Sequence, residues 1–180
     1  MPSIETARLR LRTFRLSDTD DFYRIWTDPE VIKFFPPWPL TREKVARSMA
    51  RSLERWRERN FGLWALELKE NGNLIGSAGL QHLDNTTEVE VAYILDTPYW
   101  GKGFATEAAK AALRYGFTEV GIERIVAITD PQNVSSRHVM EKLGMKYEKV
   151  THFYGVDNVY YAVSREAYQP DEDPYLSRRA

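Results

Sequence analysis

The segment YWGKGFATEA, Tyr99 to Ala108, places two glycines on either side of a lysine, directly before a run of good helix formers. A flexible loop that leads into a helix leaves the first backbone N–H groups free, and the helix dipole adds partial positive charge at the same point. Glycine also lets the backbone approach a bound group closely. The segment therefore predicts an anion site, and a phosphate is the ligand that such a site suits.

Two common nucleotide-binding patterns fit this loop poorly. The mononucleotide loop requires G-x-x-x-x-G-K-[ST], but Lys102 is followed by Gly103 and no glycine lies at the required upstream position. The dinucleotide pattern G-x-G-x-x-G fits at Gly101 and Gly103 and has Thr106 in place of the third glycine. A tight strand-to-helix turn without a ligand would also use two glycines, so the loop alone leaves the choice open.

Length and composition restrict the class of protein. The chain has 180 residues, no cysteine, and 25 Lys and Arg against 26 Asp and Glu, which gives a net charge of −1. We expect one domain over residues 1–168 and a loosely ordered tail over residues 169–180. Near-neutral charge argues against nucleic acid or an acidic membrane as partner, and the missing cysteines exclude disulfides and thiolate metal sites. No metal site is expected, and a chain without a signal-like or membrane-spanning segment is predicted to be cytoplasmic.

Hydrophobic periodicity predicts the order β-α-α-β-β-β-α-β-α-β-β. Alternation indicates a strand over residues 8–14, and two helices follow, the first capped by Ser17 and the second running from the cap Thr41 to about Arg59. Three strands, a helix after the glycine loop that ends at Gly121, and a strand over residues 124–129 come next. A helix opened by Asn133 and a closing hairpin complete the domain. The strands on either side of the helix that starts at Ala105 would form a parallel crossover in a mixed α/β domain, and the hairpins make the rest antiparallel.

The chain resembles the GNAT acetyltransferases, and within them the ribosomal-protein N-terminal (Rim-type) branch, from Thr6 to about Tyr168. Four segments carry the resemblance in order and spacing: ETARLRLR, WTDPEVIKFF, VEVAYILDTPYWGKGFATEAAKAAL and NVSSRHVMEKLGM. The acyl-coenzyme A loop of that family, [Q/R]-x-x-G-x-[G/A], matches its last three positions at Gly103, Phe104 and Ala105, with Trp100 at the first. The resemblance implies a mixed, mostly antiparallel central sheet with helices on both faces, and an N-acetyltransferase that uses acetyl-CoA as cosubstrate.

The resemblance also implies which residues would hold the cosubstrate. The loop backbone would bind the diphosphate, with Thr106 as an added hydroxyl donor. The strand over residues 89–95 would splay from the strand over 124–129 and offer backbone groups of Ile94 and Leu95 to the pantetheine. Asn133 would bond the cofactor or the strand while also capping its helix. The expected loop contacts are Trp100, Gly101, Lys102, Gly103, Phe104 and Ala105.

Acetyl transfer to an amine also needs a base and an acid. Glu90 is the first candidate for the base; Glu88 lies on the same strand face, and two neighbouring carboxylates raise one another's pKa or attract a cationic substrate. His152 is a second candidate, and a solvent-facing strand edge is the alternative for the two glutamates. Many family members carry a tyrosine acid where this chain has Met140, so the resemblance implies that Ser136 relays the proton to the thiolate.

An amine acceptor, either a peptide N-terminus or a small molecule, would bind beside these groups. Trp26 at the end of the first helix, and Phe34, Phe35 and Trp38 in the aromatic, proline-rich segment after it, would line its pocket, with Glu88 and His152 nearby. An aromatic cover over the core is the alternative. Two other functions compete: a non-catalytic acyl-CoA-binding regulatory module on the same fold, and a nicotinamide oxidoreductase. We expect a monomer or a homodimer.

Overall fold

A computed structural model describes residues 1–36 and 40–178, and all the described strands belong to one nine-stranded sheet. The strands are β1 (Ser3–Glu5), β2 (Leu9–Arg12), β3 (Leu63–Leu68), β4 (Leu74–His82), β5 (Val89–Leu95), β6 (Arg124–Thr129), β7 (Lys146–Phe153), β8 (Val156–Ser164) and β9 (Leu176–Arg178). The helices are α1 (Thr19–Thr27), α2 (Pro29–Ile32), α3 (Arg42–Arg59), α4 (Phe104–Tyr115) and α5 (Val134–Lys142). The strand order is β7-β8-β6-β5-β4-β3-β2-β1-β9. Only β5 and β6 pair in parallel among the described strands, so the predicted mixed, mostly antiparallel sheet is confirmed.

Helices cover both faces of the sheet, as predicted. One face is covered by α4 and α5, whose small and apolar side chains pack on inward residues of β3 to β6 such as Leu66, Leu80 and Ile125. The other face is covered by α1 and α3, which pack around Ala65 through Phe22 and Met49. The alternation along β3 therefore sends successive side chains into two different cores.

Most predicted boundaries lie close to the observed ones. Thr41 caps α3 by accepting the Lys44 N–H at 3.3 Å, and α4 continues as a π-helical turn that ends at Gly121, whose φ is 81°. The first helix differs, since residues 16–18 form a 3₁₀ turn in which the Asp18 carboxylate, rather than Ser17, accepts the Arg15 N–H.

The N-terminal and C-terminal ends contain strands that the periodicity did not predict. β1 pairs with β2 on one side and with β9 on the other, so Leu176–Arg178 differs from the expected loosely ordered tail. The tail is also held by side chains: Lys110 forms ion pairs with Asp171 and Asp173, and the Tyr175 hydroxyl donates to Glu119 at 2.5 Å. Three-residue strands are too short to show alternation, which is why the sequence pattern did not reveal them.

A buried ionic network joins β2, β3 and the start of α1. The Arg12 guanidinium donates to both Asp18 carboxylate oxygens at 2.8 and 2.9 Å and to Glu67 at 2.7 Å. The Arg12 side chain is 10% exposed, whereas Arg10, which donates to the other Glu67 oxygen, is 44% exposed. Removing one partner of a buried ion pair leaves an uncompensated charge, so the two arginines are not energetically equivalent.

We expect Arg12→Met to lower the free energy of unfolding by about 3–5 kcal/mol, because Asp18 and Glu67 would stay buried without their cation. Arg10→Met is the matched control, with an expected loss below about 1 kcal/mol for a pair that water already screens. Urea denaturation at neutral pH measures both. Equal losses for the two variants would show that burial of the network does not matter.

Described residues contain no helix that is both long and apolar enough to span a bilayer.

Candidate active site

The parallel strands β5 and β6 pair over only two positions and then diverge. Val89 aligns with Ile125 and Glu90 with Val126, while β4 accompanies β5 along its whole length and β8 accompanies β6. The splay that the resemblance implied is therefore present. It leaves a gap between the carboxyl-terminal halves of β5 and β6, in the interior of the sheet.

Backbone groups of β5 point alternately to β4 and into this gap. The N–H of Asp96 donates to the Ile75 carbonyl of β4 at 2.9 Å, so alternation turns the backbone of Ile94 to β4 and that of Tyr93 and Leu95 to the gap. The Leu95 carbonyl accepts the indole N–H of Trp100 at 2.8 Å, which is consistent with that direction. The geometry thus favours Tyr93 and Leu95, rather than Ile94 and Leu95, as the backbone groups available there.

The glycine loop lies at the open end of the gap, between β5 and α4. Gly101 and Gly103 have φ values of 71° and 82°, a left-handed conformation that glycine adopts without strain. Gly103 occupies the N-cap position of α4, and among residues 1–36 and 40–178 no side-chain hydrogen bond caps this helix end. The first N–H groups of α4 therefore point out of a glycine-bearing loop with exposed Lys102 beside them, as an anion site requires. Thr106 lies in the first turn and is half-buried.

Glu90 is a buried carboxyl at the point where the strands diverge. The residue is 4% exposed, and one of its oxygens accepts hydrogen bonds from Gln81 at 2.7 Å and from the Tyr154 hydroxyl at 3.1 Å. Burial raises the pKa of Glu90 to about 7, and the two hydrogen bonds only partly oppose that rise. A carboxyl with this pKa can accept a proton near neutral pH.

Glu88 and His152, the other two residues considered for the base or the acceptor site, make contacts that the sequence did not predict. Glu88 accepts a hydrogen bond from the Tyr160 hydroxyl, and the burial of that phenol raises the pKa of Tyr160 to about 12. His152 is exposed and its Nδ1 lies 2.9 Å from Asp157 within the β7–β8 hairpin. Tyr154, two residues beyond His152, is the hairpin residue that contacts Glu90.

A tyrosine and a serine meet across the gap. The Tyr93 hydroxyl on β5 lies 2.9 Å from Ser136 Oγ on α5 and 3.1 Å from the Ser136 carbonyl oxygen. Burial raises the pKa of Tyr93 to about 12, so the phenol keeps its proton at neutral pH. Asn133 caps α5 as predicted, since its side chain accepts the Ser136 N–H at 3.1 Å. The pair places the Ser136 hydroxyl, hydrogen-bonded to Tyr93, on the α5 side of the gap.

Of the described aromatic residues at the end of α1 and in the segment after it, Trp26 is the one that packs on β5. Trp26 and Phe35 lie 5.4 Å apart between ring centroids, and Trp26 packs on the cluster of Ile25, Val31 and Ile94. The half-buried Phe34 lies under the Lys33 ammonium instead. Trp38 lies outside the described residues. Trp26 and Phe35 are therefore the aromatic residues that flank the sheet face on which Glu90 also lies.

Three side chains of this site were missed in the sequence. Gln81 follows from strand pairing, since it lies opposite Glu90 in the β4–β5 register. Tyr93 lies three residues after Glu90 on the same strand, but its partner Ser136 is 43 residues away. Tyr154 has a φ of 53° at the β7–β8 turn, and the sequence does not predict this left-handed conformation because tyrosine rarely adopts it.

Glu90 should make the protein less stable as pH rises. The folded state holds the proton up to a pKa of about 7 while the unfolded state releases it near 4.5, so the folded state binds more protons between these values. The stability that this carboxyl contributes is thus full below about pH 4.5 and is lost through about pH 7. We expect Glu90→Gln to gain about 2–3 kcal/mol over wild type between pH 5 and pH 8 in urea denaturation. Parallel curves for the two proteins would contradict the raised pKa.

Known proteins resemble the chain over most of its length. Residues 8–146 match the acetyltransferase (GNAT) domain family. An uncharacterized N-acetyltransferase, p20 of Bacillus licheniformis, is 33% identical over 156 residues, which cover 86% of this chain and 88% of that protein. Spermidine N(1)-acetyltransferase of Escherichia coli K12 is 32% identical over 92 residues, 51% of this chain and 48% of that protein.

Solved structures agree with the sequence comparisons. A GNAT-family acetyltransferase from Bacillus anthracis superposes with a TM-score of 0.79 at 28% identity, covering 91% of this chain and 99% of that one. Ribosomal-protein acetyltransferases are among the other solved neighbours at 15 to 19% identity, which shows a shared fold and leaves the Rim-type branch a prediction. The matched domain, the relatives and the splayed sheet agree: the chain belongs to the GNAT acetyltransferase family and is an N-acetyltransferase.

Proposed function

We propose that this enzyme transfers an acetyl group from acetyl-CoA to a primary amine, by direct attack of the amine in a ternary complex. The observation that carries the proposal is the gap between β5 and β6, which has an anion loop at its open end and a buried, titratable carboxyl where the strands meet. Between these two ends lie the backbone groups of Tyr93 and Leu95 and the hydroxyl of Ser136. A thioester held along β5 would lie beside these backbone groups and this hydroxyl, between the anion loop and the carboxyl.

The residues at the gap fit acetyl-CoA by their donor chemistry. The first N–H groups of α4 and the glycine loop suit a diphosphate, since within the described residues no side-chain hydrogen bond caps that helix end. Trp100 ties the loop to the end of β5 through the Leu95 carbonyl, so the phosphate end and the strand edge keep a fixed relation. Acetyl-CoA supplies an activated thioester when bound, and the N–H of Tyr93 or Leu95 would polarise its carbonyl oxygen.

Glu90 would serve as the general base. An amine enters as an ammonium ion and must lose a proton before its nitrogen can attack, and a carboxylate of pKa about 7 takes that proton directly or through one water. Gln81 and Tyr154 both donate to one oxygen of the carboxyl, which would fix its orientation. The bond between nitrogen and the acetyl carbon forms, and the carbon–sulfur bond then breaks.

Ser136 would return a proton to the departing thiolate. Its hydroxyl would donate its proton to sulfur while it takes the phenolic proton of Tyr93, 2.9 Å away, and Tyr93 would recover a proton from solvent, so that no serine alkoxide remains. Tyr93 is protonated at the start of this relay because its burial raises its pKa to about 12. This pair would take the place of the tyrosine that the resemblance led us to seek at Met140.

The acceptor is proposed to be a cationic primary amine, either a peptide N-terminus or a small polyamine. Glu88, Glu90 and Asp84 put carboxyl groups at the same end of β4 and β5, and carboxylates attract an ammonium group. Trp26 and Phe35 offer an aromatic wall on the same side of the sheet. The partial likeness to a spermidine acetyltransferase supports including polyamines, and the structural likeness to ribosomal-protein acetyltransferases supports including peptides.

Turnover tests the proposal directly. Thiol release from acetyl-CoA is measured against N-terminal peptides, polyamines, aminoglycosides and amino acids, and we expect one class to be acetylated. For that class, Glu90→Gln should lower kcat/KM about 100-fold and remove a pH limb near 7. Glu70→Gln, in the exposed β3–β4 turn, is the control. Binding of CoA without turnover on any amine would instead favour a non-catalytic module.

Loss of the proposed acid should slow turnover without weakening cosubstrate binding. We expect Ser136→Ala to lower kcat at least tenfold and Tyr93→Phe to lower it several-fold, while the Kd for CoA changes less than twofold. Ser135→Ala, one residue earlier and exposed, should behave like wild type. If both variants kept wild-type kcat while acetylation proceeded, water or another group would protonate the thiolate.

A further inference from the structure

The N-terminal segment ETARLRLR, Glu5 to Arg12, contacts the glycine loop although about a hundred residues separate them. The Arg8 guanidinium donates from Nη1 to the Lys102 carbonyl at 2.9 Å and lies 4.3 Å from the centroid of the Phe104 ring. Arg8 Nη2 would lie 3.4 Å from a Cβ atom placed on Gly103. One arginine side chain therefore contacts Lys102 and Phe104 and lies close to Gly103 between them.

Glu107, in the first turn of α4, binds the same N-terminal segment. Its carboxylate accepts hydrogen bonds from the Thr6 hydroxyl at 2.6 Å, the Arg8 N–H at 2.8 Å and Arg8 Nε at 2.7 Å. This carboxylate would otherwise stand as a free negative charge one turn from the anion loop, where it would repel a phosphate. Arg8 and Thr6 turn it towards β2 and neutralise it.

The contact with the Lys102 carbonyl also sets the direction of a neighbouring donor. The Lys102 carbonyl and the Gly103 N–H belong to one planar trans peptide unit, so they point in opposite directions. When Arg8 holds the carbonyl, the Gly103 N–H faces away from Arg8. Gly103, on one side of this peptide, has a φ of 82° and accepts left-handed values without strain, so it gives the peptide little rotational restraint of its own.

We propose that Thr6, Arg8 and Glu107 form a clamp that sets the orientation and the charge of the acyl-CoA phosphate loop, with Arg8 as its positioning residue. The inference rests on the proposed function, which assigns the loop to the diphosphate. It gives the connection between β1 and β2 a role in cosubstrate affinity. The clamp acts on binding of the donor and leaves the chemistry at Glu90 unchanged.

Calorimetric titration with CoA tests the clamp. We expect Arg8→Ala to raise the Kd about tenfold and to raise KM for acetyl-CoA in parallel, with kcat within twofold of wild type. Arg8→Lys should recover little, because an ammonium group cannot reach a carbonyl and a carboxylate in the fixed fork of a guanidinium. Adding Glu107→Gln to Arg8→Ala should lower the Kd again, since the unpaired charge is gone. A melting temperature recorded for every variant confirms that each is folded.

Arg10→Ala is the matched control, because Arg10 lies two residues after Arg8 and its partners are Glu5 and Glu67, and the Kd of this variant should equal that of wild type. Equal CoA affinity in wild type and Arg8→Ala, or an equal loss in Arg10→Ala, would overturn the clamp and leave the proposed function intact. Failure of the wild-type protein to bind CoA would instead overturn the proposed function and the clamp with it.

Discussion

The separation of β5 from β6 beyond Glu90 is the constraint on which the rest of the site depends. A sheet that continued to pair there would satisfy its backbone internally and leave no room for a ligand. The gap stays open because β5 is held by β4 and β6 is held by β8. Side chains also form hydrogen bonds with part of the backbone that the gap leaves unpaired. The Trp100 indole bonds the Leu95 carbonyl, and the Tyr93 phenol connects β5 to α5.

Two buried carboxyl groups show how the surroundings assign different roles to the same side chain. Burial acts to raise the pKa of Glu67, but hydrogen bonds and charge from Arg12 and Arg10 outweigh it and leave that pKa lowered. Burial also raises the pKa of Glu90, whose donors Gln81 and Tyr154 are neutral, and here burial prevails. Glu67 is thus a permanently charged partner in a structural network. Glu90 is free to change its charge near neutral pH.

The sequence was most informative where the backbone itself carries the signal. Periodicity predicted the long strands and helices, and Gly121, Thr41 and Asn133 marked helix ends correctly. The parallel pairing of β5 with β6 and the antiparallel hairpins on either side of it also agree with the prediction, whereas the order of strands in the sheet was not predicted. Strands of three residues, such as β1 and β9, have no readable alternation, and their pairing depends on contacts between opposite ends of the chain.

Side-chain partners across the site were less predictable, because register and loop geometry decide them. Ile94 was predicted to offer its backbone to the gap, but the structure gives this position to Tyr93. Every second residue of β5 faces the gap, and only the hydrogen bonds to β4 show which ones do. His152 was the predicted candidate in the β7–β8 hairpin, but it faces solvent, whereas the Tyr154 hydroxyl, two residues further on at the turn, reaches Glu90.

The two halves of the site therefore differ in what a sequence can specify about them. The donor half is built from glycines, a helix end and strand amides, so its spacing is visible in the chain and common to a whole family of folds. The acceptor half is built from carboxyl groups and from aromatic side chains on the segment after α1, and loops of this kind vary most among relatives. A chain can thus show plainly that it handles an acetyl donor while its acceptor has to be found by measuring turnover.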